Sequence, residues 1–373
     1  MSLAGFLAVA GIVDDLRVIA LPLSYGVVLP DDRLRRFSYA TRLSEARVEQ
    51  MLLSRYHGTT LDLSGVDPSH PTSLSRIAVR AWAYVVGSHA CPDCVRELGG
   101  AWLVAWKLPW SFACVRHRRL LVDVCPCCGR RLGAGMQDGR SAPTFRSRVP
   151  VPGRCGNPLP KGVAGQGRTA VPCGQPIAEI ASETVRAYPR LVASQALVNT
   201  AIEGAPMVVG GTPVATLDYF ADLRALCALL LFGCTRDAVP ESPRAARQAL
   251  DMYAAERDRK AEARRALGQE GADFRCGPRT RYFTATPRRA ALMAAIVPPA
   301  VAILAAPSSA DLVQQMRPYV EVAERRSRAQ AMNLPAYFEF SPGLRTAFGQ
   351  CLAPSVVFTH RAGLHVRAVQ KRR

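Results

Sequence analysis

Between residues 91 and 173 the chain spaces cysteine and histidine in a pattern few structures can use. It opens with Cys91-Pro92-Asp93-Cys94, continues nineteen residues later with Cys114-Val115-Arg116-His117, and after seven more reaches Cys125-Pro126-Cys127-Cys128-Gly129. Cys155 and Cys173 follow singly, each with a glycine after it, so eight of the twelve cysteines fall in this stretch. Two residues between ligands let a tight turn aim both donors at one ion, and two such knuckles complete a tetrahedral structural zinc site. The spacing predicts two zinc ions. The first takes Cys91, Cys94, Cys114 and His117, and the second takes Cys125, Cys128, Cys155 and Cys173. Cys127 is either a spare thiol or a substitute for one of its neighbours. Cys155 and Cys173 are the least constrained ligands, because each stands alone.

Catalysis by these metals is not expected. A zinc deaminase needs a glutamate motif upstream of its Pro-Cys-x-x-Cys, and none precedes Pro126. Sites closed by sulfur and imidazole leave no position for a substrate water. Cys91-Pro92-Asp93-Cys94 lacks the βαβ setting of a thiol redox motif, and the chain has no phosphate-cradling Gly-x-x-x-x-Gly-Lys-Ser/Thr loop. The reading is a scaffold and not an enzyme.

Charge points to the partner. The 373 residues carry a formal +19, with a pI near 10, which favours a polyanion such as double-stranded DNA. From Cys91 to Cys173, thirteen Arg and Lys face four Asp and Glu, a formal +9 that two zincs and seven thiolates reduce to +6. Candidate phosphate contacts there are Arg116, Arg118, Arg119, Arg130, Arg131, Arg146, Arg148 and Arg154. The apolar first thirteen residues have no basic segment before them, so no export signal is expected. Clustered thiols then suit a reducing cytoplasm, in association with the nucleoid. The apolar run from Ala290 to Ala306 is short for a bilayer, and Pro298-Pro299 should split it into two packed helices.

The rest of the chain predicts helices. Asp31 or Asp32 is placed to cap one, and Ser44 to cap another that runs through Tyr56. A further helix is expected over Ser73 to Val86, which with its predecessor would suit a helix-turn-helix-like unit. Thr59 to Gly65 alternates like a short extended segment. The tryptophans of the Trp102–Phe112 link, and Leu120-Leu121-Val122, read as the small sheet and core of a zinc ribbon and not as base-stacking platforms. Gly133 to Gly174 has a loop composition. Beyond it, Glu179 to Asn199 should form a helix interrupted at Pro189, and Leu217 to Phe232 a core helix with Cys227 and Cys234 as small buried side chains. Ala245 to Gly268 reads as a solvated helix laced with ion pairs, Ala310 to Ala331 as an amphipathic helix with Leu312, Met316, Tyr319, Val320 and Ala323 inward, and Arg367 to Arg373 as a basic tail. The fold class is mostly α, with a small α+β zinc-ribbon centre. A helical N-terminal unit spans residues 1–88, tandem zinc ribbons 89–176, and a helical C-terminal domain 177–373.

The order of knuckles resembles one family. Cys91-Pro92-Asp93-Cys94, the Trp102–Trp110 link, Cys114-Val115-Arg116-His117 and Leu120-Leu121-Val122 running into Cys125-Pro126-Cys127-Cys128-Gly129 are similar to the TniQ transposition proteins, as is the segment from Glu45 to Gly65. The later single cysteines match that family's second ribbon. The usual family opening is poorly represented after Leu21-Pro22-Leu23. The resemblance implies a DNA-targeting adaptor of Tn7-like or Tn5053-like transposons. Such adaptors work beside an AAA+ ATPase of TnsC/TniB type and a DDE transposase, and some relatives join CRISPR effector complexes. The alternative is a zinc-ribbon transcriptional regulator or a protein-interaction scaffold.

Overall fold

The computed structural model describes residues 26–67, 73–74, 81–85, 87–133, 151–159, 171–233, 239, 241–266 and 287–352. Among them the fold is mostly helical, with two small hairpins. Its helices are α1 (Asp31–Thr41), α2 (Glu45–Glu49), α3 (Pro92–Glu97), α4 (Pro189–Ile202), α5 (Thr216–Gly233), α6 (Arg244–Ala266), α7 (Ala290–Leu304), α8 (Ser309–Phe338) and α9 (Pro342–Cys351). Strands β1 (Ala113–Cys114) and β2 (Arg119–Leu120) form one antiparallel hairpin, and β3 (Met207–Val209) and β4 (Thr212–Val214) the other.

Two helices make the centre because their sequences are apolar all round. α5 is buried along nearly its whole length, from Tyr219 to Gly233, with Cys227 inside as expected. Cys234 lies outside the described residues. α7 is buried on almost every side, from Ala290 to Leu304. α8 packs on α5 and α9, and α7 packs on α4, α5 and α6. The expected split of α7 at Pro298-Pro299 does not occur, and one helix runs through both prolines. Dense packing of its alanines against α5 and α6 outweighs the two backbone bonds that the prolines remove. No described helix is long and apolar enough to cross a membrane.

Other boundaries also shift. α1 has Pro30 at its N-cap, with Asp31 and Asp32 in the first turn and no side-chain cap. Ser44 does cap α2, accepting from the Arg47 N–H at 3.3 Å, but α2 ends at Glu49 and a 3-10 turn covers Leu53–Tyr56. Residues 81–85, expected to be helical, are irregular and bent, with Trp82 at a left-handed φ of 56°. Thr59 to Gly65 forms turns closed by a single bridge between His57 and Leu61. Pro189 starts α4 instead of interrupting a longer helix, since its missing N–H costs nothing in the first turn. Leu312, Met316, Val320 and Ala323 of α8 face inward as expected, yet α8 runs on to Phe338 through a break at Ser327. α6 is not wholly solvated: Arg257 is buried and donates to the Leu231 and Phe232 carbonyls at 2.9 Å each, satisfying the open end of α5.

Buried Asp123 and Gln195 and half-buried Glu183 lock the cysteine-rich centre to the helices. Asp123 accepts from the Ala290 N–H at 3.0 Å and caps α7, while Arg289 lies 3.4 Å from the same carboxylate. Glu183 accepts from the Arg244 and Ala245 N–H groups at 3.0 and 2.8 Å and caps α6. Gln195 of α4 accepts from the Phe112 and Ala113 N–H groups at 2.9 Å each and donates to the Trp110 carbonyl at 3.1 Å. Each contact satisfies backbone groups that the short β1–β2 hairpin or a helix end leaves open.

One buried carboxyl makes the helical part sensitive to pH. Asp222 of α5 accepts from the Ser341 N–H at 2.9 Å and meets the Ser341 hydroxyl at 2.7 Å, at the N-terminus of α9. Burial pushes its pKa up to about 6, against the lowering effect of the Ser341 contacts. The folded chain therefore keeps a proton that the unfolded chain releases between about pH 4 and 6. Stability is largest below that window and falls by about 3 kcal/mol as pH rises through it. Urea denaturation of Asp222→Asn at pH 4 and pH 7 is expected to lack this component, and a pH dependence identical to wild type would refute the assignment.

Candidate metal centre

The first knuckle sits on α3. Cys91 precedes the helix and Pro92 occupies its first turn, so one helical turn later Cys94 presents its sulfur to the same side. The β1–β2 hairpin supplies the other half: Cys114 ends β1, and His117 lies in the turn, its N–H bonded to the Cys114 sulfur at 3.5 Å. Arg118, at the tip, takes a left-handed φ of 49° to close the turn. The four donor atoms converge, all within 4.8 Å of one another. His117 Nδ1 lies 3.5, 3.3 and 3.5 Å from the sulfurs of Cys91, Cys94 and Cys114, and the Cys94 and Cys114 sulfurs are 3.6 Å apart.

A second group assembles from more distant pieces. Cys125 and Cys128 flank a tight turn in which the Gly129 N–H bonds the Cys125 carbonyl at 2.9 Å and the Cys125 N–H bonds the Arg130 carbonyl at 2.9 Å. Gly129 has φ 66°, the left-handed conformation a glycine adopts without a Cβ penalty. Cys155 and Cys173, far apart in sequence, meet because residues 154–159 and 171–176 run antiparallel. Bridges join Arg154 to Pro176 and Pro158 to Pro172, and the Cys155 and Cys173 N–H groups bond the Gln175 and Asn157 carbonyls at 2.9 and 2.7 Å. The Cys125–Cys173 and Cys128–Cys155 sulfur separations are 3.6 and 3.9 Å. Cys127 is exposed and stands outside this group of four.

These distances fit a tetrahedral ion. Bonds of about 2.3 Å to sulfur and about 2.0 Å to nitrogen put neighbouring sulfurs roughly 3.8 Å apart and a sulfur and nitrogen roughly 3.5 Å apart. All these thiols are free. Crowding makes several thiolates costly here without a cation. Cys114 is held down at about 5, first by its hydrogen bond to Cys91, while burial pushes Cys94 up to about 11. Burial likewise raises Cys155 and Cys173. A divalent cation would relieve that repulsion. Two groups that can hold a metal, of a donor set consistent with zinc, are thus built into the fold.

The surrounding contacts were not legible as motifs. Glu97, three residues after Cys94 on α3, has Oε1 at 2.9 Å from His117 Nε2 and Oε2 at 3.0 Å from Arg116. A hydrogen on Nε2 donated to Glu97 leaves the Nδ1 lone pair facing the three sulfurs. Burial opposes charging of the His117 ring, yet its contacts with Glu97 and Cys114 raise its pKa. Asn157, fully buried, donates to the Cys128 sulfur at 3.7 Å and to the Arg131 carbonyl at 2.7 Å. Gly100, with φ 88°, is the seam between the two groups: a Cβ there would stand 2.6 Å from the Gly153 nitrogen. If zinc fills the first group, Glu97→Ala should speed release of one of two zinc equivalents to a chromogenic chelator by roughly 10–100-fold. Glu97→Gln, which keeps an acceptor, should do less. Equal release from both variants and wild type would remove Glu97 from the site.

The candidate arginines divide by use. Arg116 pairs with Glu97, and Arg119 pairs with Asp93 at 2.9 Å and donates to the Ser182 carbonyl at 2.9 Å. Half-buried Arg131 lies over the Tyr84 ring at 4.5 Å, where burial lowers its pKa. Arg154 donates to the Gly174 carbonyl at 3.0 Å, Arg130 is half-buried, and Arg118 is exposed. Arg146 and Arg148 lie outside the described residues, as does the tail from Arg367. The tryptophans pack as expected. Trp82, Trp106 and Trp110 are buried, and half-buried Trp102 donates to the Ser88 hydroxyl at 2.8 Å.

No curated protein and no solved structure matches the chain. The family model TniQ matches residues 14–121, a span that contains α1, α2 and all four donors of the first group and stops short of Cys125. Over residues 14–121, under a third of its length, the chain is similar to the TniQ family.

Proposed function

We propose that this protein is a non-enzymatic adaptor of DNA transposition, held together by two structural zinc ions, that links target DNA to an AAA+ ATPase of TnsC/TniB type and through it to a DDE transposase. The observation that carries this reading is the first four-donor group inside the TniQ match, set in a basic module and followed by a second group of four cysteines. The zinc ligands are Cys91, Cys94, Cys114 and His117 in one site and Cys125, Cys128, Cys155 and Cys173 in the other. Closed sulfur and imidazole ligation gives the metals a scaffolding role. Residues 1–88 and 89–176 form the DNA-facing and metal-bearing units, and 177–373 the helical body, working in the cytoplasm on nucleoid DNA. A CRISPR effector is a further candidate partner on the same family grounds.

The test has two parts. Metal analysis should return two zincs per chain, and binding to duplex DNA should weaken steeply as salt rises. Co-purification with the AAA+ ATPase then separates transposition from transcription. One observation favours the second reading, a protein-interaction scaffold without DNA contact. Arg116, Arg119 and Arg131 of the metal module are engaged within the fold, on Glu97, Asp93 and Tyr84. Binding to the ATPase without salt-dependent DNA binding would select it.

A further inference from the structure

The exposed cations best placed for a phosphate backbone are not in the metal module. They cluster where α1 turns into α2. Arg35, Arg36 and Arg42 are exposed and make no ion pair among the described residues, and Tyr39, between them on α1, is 90% exposed. An aromatic side chain standing almost wholly in solvent amid arginines is not explained by packing, because the inward face of α1 is already served by buried Leu34 and Phe37. The surface is held. An open hollow runs past Ser38, Arg42 and Ser44, with the turn pinned by the Ser38 hydroxyl on the Leu43 carbonyl at 2.5 Å and the Thr41 hydroxyl on the Phe37 carbonyl at 2.8 Å.

Arg42 adds an independent argument. It closes α1 with a left-handed φ of 56°, the position where glycine is the favoured residue. A long cation there carries a conformational cost, and among the described residues no ion pair or hydrogen bond of its side chain returns it. Backbone strain of this kind persists where the side chain serves something outside the fold.

We infer that the α1–α2 corner, through Arg35, Arg36 and Arg42 with Tyr39 beside them, docks on the phosphate backbone of duplex DNA. The inference rests on the DNA-binding reading above and assigns that binding to a surface other than the knuckle arginines. Phosphates are the occupant because the patch offers three guanidiniums without an ion pair among the described residues, fork-shaped donors suited to bidentate contact with phosphate oxygens. The acidic residues of this segment are Asp31 and Asp32 in the first turn of α1, away from the corner, and Glu45 and Glu49 on α2, of which Glu45 lies three residues past Arg42.

The experiment is the salt dependence of duplex binding by the full-length, zinc-loaded protein. Replacing Arg35, Arg36 and Arg42 together by alanine is expected to lower the slope of log K against log salt by about 2.7, at about 0.9 per phosphate contact, and to weaken binding at moderate salt by at least about tenfold. Arg42→Gly separates binding from folding. It places the residue favoured by the turn, so the melting temperature should hold or rise while the slope falls by about 0.9. Unchanged slopes in both variants, with wild type binding DNA, would overturn the inference and leave the corner to an acidic protein partner. Wild-type protein that binds no DNA would overturn the reading beneath it as well.

Discussion

Replacing Cys128 by alanine is expected to leave one zinc per chain instead of two and to unfold the centre of the molecule. The cysteines are the core of their own module. Cys91, Cys94, Cys125, Cys128 and Cys155 pack in one buried cluster with Val95, Trp106, Leu121, Leu132, Ile177 and Ile180, and Ala290 of α7 closes it. So few apolar residues cannot hold a loop-rich segment alone, and in small zinc modules ligation supplies about 10–16 kcal/mol of folding free energy. Losing Cys128 would strand buried Cys125 and Cys155 and half-buried Cys173 as thiols facing one another, and would remove the sulfur that Asn157 contacts. The damage should spread, because Asp123, two residues before Cys125, caps α7. Metal analysis together with limited proteolysis checks the expectation. Soluble Cys128→Ala protein that still carries two zincs would overturn the second site as assigned. Cys94→Ala should act in the same way on the first.

Much of this site could be read from spacing alone, and the limits of that reading have physical causes. A two-residue gap constrains two donors locally, so the three knuckles were legible residue by residue. Cys155 and Cys173 become neighbours only through the antiparallel pairing of residues 154–159 with 171–176, a long-range contact with no local signal. Glu97 and Asn157 were missed because their roles depend on what stands opposite them across a turn. Helix type was easier than helix ends. Apolar content identifies α5 and α7 as buried, but whether Pro298-Pro299 splits α7 depends on how tightly its neighbours grip it. Isolated charge counts pointed to the knuckles for DNA contact. Ion pairs to Glu97 and Asp93 explain why charge density and available charge differ.

Trp82→Ala is expected to cost about 3–5 kcal/mol and to lower the stability of the N-terminal segment, the metal module and the helical body together. Trp82 has no exposed surface and sits where the three meet. Its ring stacks on Trp110 of the link between the knuckles, with centroids 6.0 Å apart, and meets the edge of Phe338 at the end of α8, at 6.2 Å. Trp110 continues the chain of rings to Phe220 of α5 at 5.6 Å. A φ of 56° is costly for so large a residue, and the ring contacts with Trp110 and Phe338 help to hold it there. Alanine keeps the backbone strain and loses the contacts, leaving a cavity bordered by elements from distant parts of the chain. Because one hydrophobic cluster runs from Val27 through Trp110 to Cys351, the loss should not stay local. Urea unfolding followed by helical circular dichroism and by zinc release should therefore shift to lower denaturant by the same amount with both probes. A shift confined to one probe would mean that the metal module and the helical body are separate cooperative units, and that Trp82 belongs to only one of them.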